Sequence, residues 1–129
     1  MWLPDLTNSI SGISLAPAAL RTTTANGSGV DMIHSDFSFT VALVSGAITD
    51  GTHTISVQES DDNSTFTTIT AIDGNAIAAL TSSAGGSAIV LKRYIRSKRY
   101  MRAVTTITGS PSTGGFYVAT FIASKKSVA

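Results

Sequence analysis

The chain has 129 residues, no cysteine and a net charge of +1, with 43% hydrophobic and only 13% charged residues. That length fits one domain able to bury roughly two-thirds of its unfolded surface, and the missing cysteines exclude disulfides and thiolate metal sites. Charged residues usually make up ~25% of a chain, so a surface this poor in charge suits a protein that covers itself with copies or partners.

Residues 1–17 hold Pro4, Gly12 and Pro17 among scattered apolar residues, with no sustained helical period. They read as an extended N-terminal arm, whose Trp2 either frays at the chain end or anchors in a neighbour's pocket. The start, MWLPDLTNSI, has no basic segment followed by an apolar one, so no secretion signal is expected. No apolar run approaches the ~20 residues that span a bilayer, and no membrane partner is expected.

Residues 18–124 read as one β domain. The stretch 18–24, AALRTTT, predicts a first strand, Asn26-Gly27 a tight turn, and Val30 to Ile33 a short strand. Residues 37–45 alternate, placing Phe37, Phe39, Val41 and Leu43 on one core face. Asp50-Gly51 marks a turn. Thr52 to Glu59 then alternates again, with His53, Ile55, Val57 and Glu59 on the buried side. A polar turn, 60–65, leads to a return strand over 66–72. The Ala-, Gly- and Ser-rich stretch 74–87 reads as a loop crossing one end of the fold.

Residues 91–107, LKRYIRSKRYMRAVTTI, carry six of the nine Lys and Arg residues, and every acidic residue precedes them, the last being Asp73. They read as a basic hairpin bent near Ser97. A turn over 109–115 leads into a last strand, Phe116 to Ala123, and a short polar tail follows at 125–129. Phe116, Val118 and Ile122 share one face of that strand; Tyr117, Ala119 and Phe121 share the other. With both faces apolar, Tyr117 and Phe121 are expected to meet another copy or a partner. Short strands spaced by turns, with no long helix, predict an all-β, antiparallel β-sandwich that is jelly-roll-like. Its expected core is Phe39, Val41, Leu43, Ile55, Val57, Phe66, Ile69, Val104 and Val118.

No catalytic arrangement stands out. His53 aligns with apolar strand residues, and no G-x-S-x-G motif occurs. Glu59, Asp61, Asp62 and Asn63 lack the spacing of a calcium loop and read as a solvated turn. The protein is expected to be no enzyme and to need neither metal nor cofactor. In the basic stretch, alternation puts Tyr100, Arg102 and Val104 on one side and Arg99, Met101 and Ala103 on the other. Charges split in this way suit pairing with carboxylates, such as Asp61, Asp62 or Asp73, better than a nucleic-acid groove. Contact with protein therefore ranks first, with Arg96, Lys98, Arg99 and Arg102 as candidates, and nucleic acid ranks last.

The segments RTTTANGSGVD, GAITDGTHTISVQESDDNSTFT, YIRSKRYMRAVTTITG and TGGFYVA are similar, in order and spacing, to a family of small virion proteins of tailed bacteriophages and prophages. The similarity runs from about Arg21 to Ala123. The closest functional match within that resemblance is the capsid decoration, or cement, protein. It implies a structural protein on the outer surface of the virion head, made in the host bacterial cytoplasm. It also implies the major capsid protein as partner; the apolar last strand and the charge-poor surface add the expectation of a homo-oligomer, dimer or trimer. The rival readings are a carbohydrate-binding module on a virion fibre and a structural component of the neck or tail.

Overall fold

Alternation governs the longest strand. Along Ser38–Ile48 the side chains of Phe39, Val41 and Leu43 are buried, while their neighbours face outward. The computed structural model describes residues 9–15, 20–83 and 89–125. Trp2, and with it the expected anchor, lies outside them. The described strands are β1 (Ser9–Leu15), β2 (Ala25–Asn26), β3 (Val30–Asp31), β4 (Ser38–Ile48), β5 (Thr52–Ser60), β6 (Thr67–Ile69), β7 (Ile89–Ile95), β8 (Tyr100–Thr108) and β9 (Gly115–Ser124).

They form two antiparallel sheets, one in the order β1-β9-β4-β7 and the other β2-β8-β5-β6, with β3 also pairing with β8. Each sheet interleaves strands from both ends of the chain, which is the double Greek-key wrap of a jelly roll. The fold is an all-β sandwich. Its inner faces meet in one core, where Phe39 stacks on Tyr94 at 5.7 Å and meets Phe121 edge-on at 5.6 Å.

Several elements differ from the sequence expectation. Part of the expected arm is a strand: β1 pairs with β9 from Ser9↔Ser124 to Leu15↔Ala119. The expected strand over 18–24 is reduced, among the described residues, to a bridge between Arg21 and Gly115. Ala25 and Asn26 pair with β8 where a turn was expected. Gly27 is needed there for close approach, since a Cβ would strike Ala103 O and Ser14. Phe37 precedes β4 and is exposed. The return strand shrinks to Thr67–Ile69.

The largest difference concerns residues 91–107. They are not a hairpin, because β7 pairs with β4 in one sheet and β8 with β5 in the other. The bend at Arg96–Arg99 is a corner where the chain changes sheets. Asp50-Gly51 turns as expected, with Gly51 at φ +82°. The Asp50 carboxylate accepts from the backbone N–H groups of Ser112, Thr113 and Gly114, tying the β4–β5 turn to the β8–β9 turn. These bonds hold its pKa below the usual carboxylate value, Gly114 contributing most.

Candidate docking site

The basic corner is built mostly for internal use. Arg96, a candidate for contact with another protein, is only 4% exposed. Its guanidinium donates to Ser35 Oγ at 3.2 Å, Ser35 O at 2.7 Å and Lys98 O at 2.9 Å, and lies over the Phe37 ring. Burial draws its pKa below the ordinary arginine value, opposed by Asp31, Asp36 and Glu59. Glu59 holds the corner from the other sheet, accepting from Ser97 N at 2.9 Å and Ser97 Oγ at 2.8 Å. A residue consumed in this way offers nothing to a partner.

The other cations of this stretch are also engaged. Arg99 grips Asp31 with two bonds, at 2.9 and 2.8 Å. That contact holds Asp31 at a pKa of about 2, Arg99's hydrogen bonding being the largest cause. Lys92 pairs with Asp73 at 2.8 Å, and Lys98 approaches Asp61 at 4.0 Å. Arg102 bonds Gln58 Oε1 and sits 4.0 Å above the Phe66 ring, so its partners are an amide and an arene rather than a carboxylate. Asp62 is used within its own turn, accepting from Ser60 Oγ, Ser64 N and Thr65 N. Asp31 is the partner that sequence reasoning missed.

Tyr117 and Phe121 are both 0% exposed and belong to the core, so they cannot contact another chain. Tyr117 points inward because its hydroxyl has partners there. His53 Nε2 faces the Asp50 carbonyl at 3.0 Å and must donate to it. Nδ1 is then the acceptor, so Tyr117 donates to it at 2.9 Å and receives from Thr105 Oγ1 at 2.6 Å. The chain Thr105–Tyr117–His53 is buried and ends on the half-buried Asp50 carbonyl. His53 is thus a core strand residue with both ring nitrogens occupied. Among the described residues no group of three or more His, Cys, Asp or Glu side chains converges to hold a metal.

What the inward turn of Tyr117 leaves outside is the opposite face of β9. Phe116, Val118, Thr120 and Ile122 point away from the core. Register continues this face across the sheet. Val118 lies across from Val44, and Val44 from Ile89; Thr120 lies across from Ala42, and Ala42 from Leu91. Ile89 is 70% exposed and Leu91 66%, while Phe116 covers the bare backbone of Gly46. A third row, Ile122–Thr40–Arg93, brings in a charge. Arg93 donates to Ser38 Oγ at 3.0 Å and meets no carboxylate among the described residues. Val118, expected in the core, is half-buried on this outer face; Val104 is buried but on the outer side of β8. Phe66 and Ile69 are also only half-buried.

A smaller cleft of ≈ 220 Å³ opens between β5–β6 and the loop over 74–77, with Ile55, Ile69, Ala71 and Tyr94 on its walls. Burial raises the Tyr94 pKa above the ordinary phenol value, with a smaller push from Asp73.

Fold and surface together define a jelly-roll domain that pairs its charges within the chain and, among the described residues, leaves one sheet face apolar and uncovered. The profile of the Bbp16 family matches residues 10–121, and the chain belongs to that family. No curated protein and no solved structure matches it.

Proposed function

We propose that this protein is a structural component of a tailed-bacteriophage virion, a decoration or cement protein. It sits on the outside of the head and braces contacts between major capsid subunits. The observation that carries this reading is the uncovered apolar face of β9, β4 and β7, the kind of patch that marks a protein–protein contact. The motif resemblance to virion proteins and the low charge point the same way. The mechanism is linkage. A protein that binds the assembled shell, and not the separated subunits, stabilises the shell by its binding free energy, repeated over many copies.

The test is sedimentation of DNA-filled heads from the phage or prophage that encodes the chain. The protein should travel with them at a copy number comparable to the major capsid protein, and heads made without it should break at lower temperature. A handful of copies per particle would move the protein to the neck or tail; none would end the reading.

A further inference from the structure

The apolar face has a charge pattern that says what kind of surface covers it. Apart from Arg93, the described outward positions of β9, β4 and β7 are apolar, hydroxylic or glycine, and none is acidic. Arg93 sits in the row next to Leu91 and, among the described residues, its guanidinium bonds the Ser38 hydroxyl and no carboxylate. The other cations of the stretch that changes sheets are either paired with Asp73, Asp61 or Asp31, or spent on backbone, amide and ring contacts.

Resting on the decoration reading, we infer that this face docks on a different protein, a capsid-subunit surface that is apolar and presents a carboxylate to Arg93, rather than on a second copy of this chain. Two arguments separate the occupants. A two-fold contact sets the same patch against itself. Among the described residues the outward positions of this face bring no carboxylate to the other copy's Arg93; Asp73, which lines a cleft with Leu91 and Arg93, is already held by Lys92 at 2.8 Å, and a guanidinium buried without a free carboxylate is unfavourable. Area gives the second argument. Three strands of these lengths, at ~3.4 Å per residue and ~4.8 Å between strands, present roughly 500 Å². Two such faces would bury roughly 1,000 Å² together, the lower limit for a specific contact and about half of what obligate homodimers bury. That is thin for a self-standing dimer. It is sufficient for attachment to a lattice, where neighbouring contacts hold the protein near its site.

The face also has relief. Large side chains at Phe116, Leu91 and Ile89 surround smaller ones at Ala42, Val44 and Thr120. A protruding apolar side chain of the partner would seat in the middle, with Arg93 fixing its orientation from one side. Charge placed beside an apolar contact selects the partner and its register more than it adds affinity.

The test uses heads assembled without this protein, purified full-length chain, and two single variants, Leu91→Glu and Arg93→Glu, each first shown by circular dichroism and melting to keep the parent fold. Binding to heads and sedimentation of the free protein are both measured. Each variant should bind heads at least about tenfold more weakly than the parent, and the parent should not owe any self-association to this face. If the parent binds and Leu91→Glu binds equally well, this face is not the docking surface, although the decoration role survives. If Leu91→Glu weakens binding and Arg93→Glu does not, the carboxylate is refuted. A parent oligomer that either variant converts to monomer would put a second copy on the face and overturn the inference. Heads that fail to take up the parent protein would remove the decoration reading and this inference together.

Discussion

Replacing Arg96 by Met tests whether the basic corner is a structural clamp. Methionine keeps a long apolar stem and removes the guanidinium, so the change isolates the polar contacts. Three hydrogen bonds are lost, two of them to the carbonyls of Ser35 and Lys98. Bonds from charged donors are worth ~1.5–3 kcal/mol each, but losses that share one side chain do not add. Removal also relieves the desolvation of a buried cation, which offsets part of the loss. A net cost of about 3 kcal/mol follows. With a urea dependence of ~1–3 kcal/mol per molar for a domain of this size, the unfolding midpoint should fall by about 1–3 M. Lys98→Met is the control. Its ion pair with Asp61 is long, at 4.0 Å, and exposed, so it should shift the midpoint by less than ~0.3 M. An Arg96→Met midpoint within that same margin would refute the clamp.

Two further outcomes concern the interior and acid stability. Tyr117→Phe strands His53 Nδ1 and deprives Thr105 of its acceptor in a buried site, so it should cost ~1–3 kcal/mol, seen as several degrees of melting temperature; an unchanged melting point would mean that the polar chain is idle. For pH, Asp31 is lowered to about 2, and Asp50, Asp62 and Asp73 are lowered as well. Groups lowered on folding stabilise fully above their unfolded values near 4 and lose that contribution as pH falls toward 2. The melting temperature should therefore hold from pH 7 to about 5 and drop between about 4 and 2, less steeply in Arg99→Met; a rise on acidification would contradict these assignments.

Strands β4 and β5 were legible because their alternation is unbroken, and the faces read from it are the buried ones. The last strand was legible as a strand but not in its orientation. When both faces are apolar, a shift of one residue exchanges inside for outside, and what decides is the reach of the Tyr117 hydroxyl to His53, 64 residues away. The β7–β8 stretch failed for a related reason. A strand, a bend and a strand look alike in sequence whether the chain folds back on its own sheet or crosses to the other. Arg96 could not be recognised as buried because its receptor, Ser35, lies 61 residues earlier. The outer face was half visible. Alternation groups Phe116, Val118 and Ile122 together, yet their continuation through Val44, Ile89 and Leu91 needs the strand order.

The position of β9 between β1 and β4 has a consequence for how the protein is made. The strand that completes the first sheet is the last of the nine described strands to be synthesised, and both of its neighbours come from the first half of the chain. Until it arrives, β1 has no partner in its sheet, one edge of β4 is bare, and the core lacks Tyr117 and Phe121. Folding therefore waits for residues near Ser124 and proceeds through contacts distant in sequence, the regime of slow β proteins. Nascent chains halted before that point carry open strand edges beside apolar side chains, which makes them prone to stick to one another.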